Sequence, residues 1–477
     1  MAEPGNDIFF STVTELSTRL RAREFSAVEL ARAFSDRVER LGPRYNALAL
    51  SLRETGIRQA KEVDGDLKRG RVRGVLQGIP YGAKDLLAIK GQITTWGAKP
   101  YAAQIFDFDA TVITRLTKAG AVCSAKLAMV QLAGGGGYRY PAASLFGPGR
   151  NPWDTSRWAG GSSSGSGSAV AAGLVPFALG SETSGSILTP SAFCGVTGLR
   201  PTYGLISRYG AMPLSWTLDK LGPMCRSAED CGHVLAAIAG ADEKDPASAG
   251  KSFYFAPQYQ RPLNTLRFGY HPADFDSWAE PETRGAFRSA LETVTGMGAK
   301  LVEVQMEDMP YGAAVSTVIA AEAASVFEEL IESGNVDDLA DAKQAAGLKA
   351  GLDVPARDYL RAMRMRRLVQ AEFRRMMTDC DLLIAPSRFG IAPKVSEPLD
   401  RGGASAPAAP RPPTGMRALI PAGNLAGLPA LSLPCGFVSG LPIALQLVGR
   451  PWSENLLISV GMQFQKTTDF HKQRPKV

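Results

Sequence analysis

A run of nine glycines and serines, Gly160-Gly161-Ser162-Ser163-Ser164-Gly165-Ser166-Gly167-Ser168, constrains this chain more than any other segment. Such a run is a flexible linker when its flanks are polar. Here Asn151-Pro152-Trp153-Asp154 precedes it, and the helix-forming stretch Ser168–Gly173 follows at once, so the run is pinned at both ends. A glycine-rich turn entering a helix offers backbone N–H groups to negative charge. A phosphate loop would also need Gly-x-x-x-x-Gly-Lys-Ser/Thr, and this run has no lysine. Residues Val175 to Leu179 then read as a buried strand that runs into a second loop, Glu182-Thr183-Ser184-Gly185-Ser186-Ile187.

Gly161-Ser162-Ser163-Ser164-Gly165 also fits the Gly-x-Ser-x-Gly nucleophile elbow, a pattern that glycine- and serine-rich stretches produce by chance. The elbow needs a histidine and an acid late in the chain. Of three histidines, His233 sits in a helical stretch, His271 follows a strand and His471 lies near the C-terminus, so a Ser-His-Asp triad does not fit. Upstream, Gly82-Ala83-Lys84-Asp85 supplies a lysine at the end of a predicted strand. A lysine beside two serines can build an activated nucleophile without histidine, because a desolvated amine is a base.

The chain has 477 residues, 45% hydrophobic and 21% charged, the composition of a soluble globular protein. Its net charge of +7 is mild for this length. The arginines at 361–375 fit the solvated face of a helix, not a nucleic-acid stripe, so no nucleic-acid partner is expected. The six cysteines form no Cys-x-x-Cys pair and no zinc pattern, and they read as reduced, mostly buried thiols. Neither a metal nor a cofactor is expected. Residues Met1–Gly5 do not open a signal peptide and no apolar run is long enough to span a bilayer, which leaves the cytoplasm as the default expectation and no membrane partner.

Helical patterns cover 11–40, 54–68, 107–120 and, Ala-rich, 312–377. Strands are predicted at 78–84, 121–124, 266–270, 382–385, 430–434 and 443–448. This alternation predicts an α/β protein. No linker or repeat divides it, so 1–477 is expected to form a single large domain with insertions. The 312–377 stretch is expected to cap the substrate pocket. The Pro/Ala/Gly-rich stretch 391–413 is expected to form a surface loop.

The two serine loops and the lysine belong to a longer pattern. It runs through Gly78-Ile79-Pro80, Lys84-Asp85, Phe146-Gly147, Asn151-Pro152-Trp153, Gly160-Gly161-Ser162-Ser163, Ala178 to Ile187, Cys194 to Gly204, Asp219, Gly222-Pro223 and Asn424 to Ala430. Over nearly its full length the chain resembles the amidase signature family, with the signature core at 60–225. The resemblance implies a central mixed β-sheet flanked by α-helices. It places the catalytic lysine on Lys84, the bridging serine on Ser162 after a cis peptide, and the nucleophile on Ser186. The two serines stand 24 positions apart, as in the family, which selects Ser162 over its neighbours. The N–H groups of Thr183, Ser184, Gly185 and Ser186 would form the oxyanion hole.

The family loop commonly reads Asp-x-Gly-Gly-Ser-Ile-Arg. This chain has Glu182, Ser184 and Leu188 where the family has Asp, the first Gly and Arg. Leu188 removes a guanidinium from the expected pocket, and Gly135, Gly136 and neighbouring glycines remove bulk beside Tyr138. The resemblance implies a C–N hydrolase acting on a small neutral or aryl amide, with aryl acylamidase, carbamate and ester hydrolysis as variants; a homodimer is left open. Two alternatives stand beside it: the ammonia-transferring A subunit of a glutamyl-tRNA amidotransferase, and a non-catalytic binding protein on the same fold.

Overall fold

The computed structural model describes residues 5–400 and 415–477. Positions 401–413 of the predicted surface loop, and Met1–Pro4, lie outside the described residues. An 11-stranded mixed sheet organises the rest into a single α/β domain. Its strands are numbered here together with a small separate hairpin. They are β1 (Leu48–Ser51), β2 (Pro80–Lys84), β3 (Val122–Leu127), the hairpin β4 (Arg150–Asn151) and β5 (Asp154–Trp158), β6 (Phe177–Glu182), β7 (Thr197–Arg200), β8 (Lys220–Cys225), β9 (Arg267–Tyr270), β10 (Lys300–Glu303), β11 (Leu382–Pro386), β12 (Ala430–Val438) and β13 (Leu441–Val448). The order across the sheet is β1-β3-β2-β6-β8-β7-β12-β13-β11-β9-β10.

Two features of this order place the site. Strands β2 and β6 are neighbours and parallel, with Ala83 beside Leu179. Their C-terminal residues, Lys84 and Glu182, therefore emerge at the same edge, where open α/β sheets bind ligands. Every residue of β2 and β6 is buried, as expected for strands covered on both faces.

The Gly/Ser run is not a loose connection. It leads into the helix Ser164–Ala171, all eight residues of which are buried. The glycines are there for close approach. A Cβ on Gly165 would fall 2.5 Å from the Ala128 carbonyl oxygen, and one on Gly160, whose φ is +86°, 2.6 Å from Pro190 Cα. Gly165 N–H donates to Ala128 O and Ser163 N–H to Ser186 O, so these donors are spent inside the fold and do not face an anion.

The single helix predicted over 11–40 is two, Val13–Arg21 and Ala27–Leu41. Arg23 adopts a left-handed φ of 61°, and Ser26 restarts the second helix with a capping box to Glu29. Six strands escaped the sequence reading: β1, β7, β8 and β10 of the large sheet, and the hairpin strands β4 and β5. The 312–377 stretch forms the helices Tyr311–Val326, Glu328–Glu332, Ala342–Gly351 and Ala356–Met376. The last of these turns Ala362, Val369, Phe373 and Met376 inward and leaves Arg361, Arg364, Arg367, Arg374 and Arg375 exposed. The six cysteines are buried and unpaired. Among the described residues no helix is long and apolar enough to cross a membrane.

Candidate active site

Lys84 closes β2 with its ammonium group fully buried, at 0% exposure. Its Nζ lies 2.7 Å from Ser162 Oγ, 3.0 Å from Ser163 Oγ and 2.8 Å from Ser181 Oγ. Burial pulls its pKa down to about 7, against the pull of Asp219 and Glu182, whose charges favour the ammonium form. The Gly161–Ser162 peptide bond is cis.

The hydrogen count around Nζ narrows what each serine can do. An ammonium donates to all three hydroxyls. A neutral amine has two hydrogens and one lone pair, so one hydroxyl must donate to it. Ser163 Oγ already donates to Ser181 O, 3.2 Å away, and accepts from Ser181 N–H at 3.2 Å. The donor to a neutral Lys84 is therefore Ser162 or Ser181, and Ser162 is the nearer. A serine that has given its hydrogen bond to the amine presents its lone pairs to the other side and can accept a proton there.

Ser186 is 9% exposed and stands on the wall of a cleft of ≈ 710 Å³. Gly134, Tyr138, Trp158, Thr183, Ser184 and Phe193 share that wall. Burial pushes the Tyr138 phenol up to about 12, so it stays protonated and can donate a hydrogen bond. The N–H groups of Ile187 and Leu188 turn inward onto Glu182 Oε2, at 2.8 and 2.9 Å. Those of Thr183, Ser184, Gly185 and Ser186 find no acceptor among the described residues. Four free donors beside a hydroxyl, with Gly185 at φ +89°, can receive an oxyanion.

Glu182 holds this loop. Its other oxygen, Oε1, accepts from Arg200 Nη1 at 3.0 Å and Asn424 Nδ2 at 2.8 Å. Burial opposes its ionisation, but Arg200, the Asn424 amide and the two backbone donors outweigh burial and hold the carboxyl below its ordinary range. Removing the carboxylate would strand Arg200, which is 0% exposed, and free two loop N–H groups. Breaking a buried pair in this way costs about 3–5 kcal/mol. Glu182→Ala is expected to lose stability on that scale, read as a large fall in Tm. A Tm within a degree or two of the parent would show that Glu182 does not hold the loop.

Three residues expected at the pocket are elsewhere. Leu188 is fully buried in an apolar cluster with Leu218, Leu419 and Ile420, because its N–H is tied to Glu182 and its side chain points into the core. Gly135 packs against Leu214, and a Cβ on it would come within 2.7 Å of Leu214 Cδ1. Gly136, at φ +80°, lies under the helix Ala342–Gly351, where a Cβ would fall 2.4 Å from Gln344 O. These glycines make room for a neighbouring helix, not for a substrate. Gly134 and Tyr138 do face the cleft, whereas Tyr140 is 40% exposed outside it.

The sequence reading missed Ser181, Arg200, Asn424 and Arg388. Ser181 stands next to Glu182 at the end of β6. Arg200 ends the apolar strand β7, and a charge so placed must find a partner. Arg388 follows β11 by two residues; β11 runs antiparallel to β2 and β6, so Arg388 leaves the far edge of the sheet and reaches the cleft beside Phe193. Among the described residues, no three His, Cys, Asp or Glu side chains gather as a metal site requires.

A family model described as Amidase matches residues 29–458. The A subunit of the glutamyl-tRNA(Gln) amidotransferase from Dechloromonas aromatica (strain RCB) is 37% identical, over 98% of this chain and 99% of its own. Among solved structures, a chain from a vestigial protein complex linked to the origins of an s-triazine catabolic enzyme superposes with a TM-score of 0.86 at 31% identity, covering 98% of this chain and 100% of that one. The peptide amidase of Stenotrophomonas maltophilia gives 0.82 at 30% identity, covering 98% of each. With a family match over most of its length and relatives this similar from end to end, the chain belongs to the amidase signature family of amidohydrolases.

Proposed function

We propose that this chain opens the C–N bond of a primary carboxamide through an acyl-enzyme on Ser186, releasing ammonia, with glutamine as the leading substrate. The observation that carries this reading is the buried Lys84–Ser162 contact of 2.7 Å behind a cleft that Ser186 faces. The end-to-end similarity to amidotransferase A subunits supports glutamine over an aryl amide.

Neutral Lys84 accepts the hydrogen of Ser162. As Ser186 Oγ attacks the carbonyl carbon, its proton passes to Ser162, whose own proton goes to Lys84. The carbonyl oxygen becomes an oxyanion facing the N–H groups of residues 183–186; one such donor is worth about 3 kcal/mol. Collapse breaks the C–N bond, and the proton returns from Lys84 through Ser162 to the departing nitrogen. Water then attacks the ester by the same relay, restoring Ser186. In the amidotransferase reading, the ammonia passes on to a partner protein. The helices of 312–377 act as the cap, with Ile319 reaching the cleft wall.

The aromatic walls favour a second reading, a free-standing amidase for neutral or aryl amides, carbamates or esters. Tyr138, Trp158 and Phe193 line one side, with Tyr138 edge-on to Trp158 at 6.3 Å between centroids. A panel of glutamine, simple primary amides, anilides, carbamates and esters decides between them. The first reading expects kcat/KM for glutamine to exceed that for any anilide. Efficient anilide cleavage without ammonia release from glutamine would establish the second.

A further inference from the structure

We propose that Arg388 selects the substrate by binding a carboxylate on its acyl portion; this rests on the acyl-enzyme reading above. The cleft that holds Ser186 also holds Arg388, and the guanidinium is exposed to it. The site of the family's missing guanidinium, Leu188, lies in the core, so Arg388 brings a positive charge into the cleft from a different element.

Its surroundings leave it without a fixed partner. Arg388 forms none of the ion pairs found among the described residues. Its neighbours are the Phe193 ring, 5.9 Å from Cζ to centroid, the neutral Tyr138 phenol and the Glu280 carboxylate, with which it forms no ion pair. At that separation the ring contact is at the outer limit of a cation–π interaction. It leaves the planar edge of the guanidinium, with its fork of donors, free. A guanidinium open to the cleft and without a carboxylate can take one, bidentately and with geometric selectivity.

The backbone under Arg388 is rigid. Ser387 N–H donates to Ala444 O at 2.8 Å and Ser387 Oγ meets Ser432 Oγ at 2.9 Å. Phe389 O accepts from Glu280 N–H and Thr283 Oγ1, both at 2.9 Å. Gly390 completes the arrangement, because a Cβ there would fall 2.1 Å from the Glu280 carboxylate. The cleft also carries Glu397 and Asp400, and Asp400 is occupied by Lys343 at 2.9 Å. The acyl groups that fit are those of dicarboxylic acid mono-amides and of amino acids with a side-chain amide.

Glutaramate and pentanamide test this, since they share the amide and chain length and differ in a terminal carboxylate against a methyl. Charged hydrogen bonds are worth enough to expect kcat/KM for glutaramate roughly a hundredfold above that for pentanamide. Arg388→Gln should bring that ratio to about one, and Arg388→Lys, which keeps the charge but loses the fork, should leave an intermediate ratio. Inhibition by glutarate over pentanoate in the unmodified enzyme is an independent reading if a variant fails to fold. A parent ratio near one, or a ratio that survives Arg388→Gln, overturns the assignment while amide cleavage stands. Failure to cleave any amide, carbamate or ester in the wider panel would instead overturn the acyl-enzyme reading itself.

Discussion

Ser186→Ala is expected to lower kcat/KM by at least about 10⁴-fold, with Tm essentially unchanged. The size follows from what loss of a nucleophile costs in serine hydrolases, where oxyanion donors and binding alone leave only a small residual rate. The unchanged stability follows from position. Ser186 faces the cleft, and its hydrogen bond to the fold uses the backbone carbonyl, which accepts Ser163 N–H at 3.3 Å. Losing a hydroxyl at a solvent-facing wall removes no packing and strands no partner. Ammonia release from the preferred amide, measured beside a thermal melt, checks both halves. A variant with a tenth of parental activity and a normal melt would move the nucleophile to another residue.

Lys84→Met is expected to remove most of the rate together with the acidic limb of the pH profile. Lys84 works only when neutral, and its pKa is about 7 against an ordinary 10.5. The parent kcat/KM should therefore rise about tenfold per pH unit below 7 and level off above it. An alkaline optimum, the expectation from an exposed lysine near 10.4, shifts to neutrality because burial lowers the value. The same shift has a stability signature of fixed sign. Because the folded pKa lies below the unfolded one, burying Lys84 costs most below pH 7, and that cost fades as pH rises toward 10.5. Lys84→Met should accordingly raise Tm more at pH 6 than at pH 9. An acidic limb that persists in Lys84→Met would belong to another group.

The positions of Lys84, Ser162 and Ser186 along the chain were legible because motifs are local. Their meeting was not, since it depends on β2 and β6 lying side by side, a long-range pairing that no window of sequence contains. Ser163 and Ser181 were unreadable for the same reason: only three-dimensional packing brings them to Nζ. The strand β8 escaped because Gly222-Pro223 reads locally as a turn, while tertiary pairing with β6 and β7 overrides it. The glycines at 134–137 were readable as a demand for space, yet sequence could not say that a helix takes that space at Gly136 and the cleft takes it at Gly134. Leu188 was readable as a lost charge, but the charge that faces the cleft comes from Arg388, two hundred residues onward.

The central claim is that Lys84 and Ser162 activate Ser186 to form an acyl-enzyme. Mass spectrometry of acid-quenched turnover, followed by peptide mapping, tests it most directly. The account predicts the mass of the acyl group on the peptide containing Ser186, its formation strongly slowed in Ser162→Ala and slowed much less in Ser163→Ala. An acyl group on a different residue, or equal formation rates in the two serine variants, would contradict it.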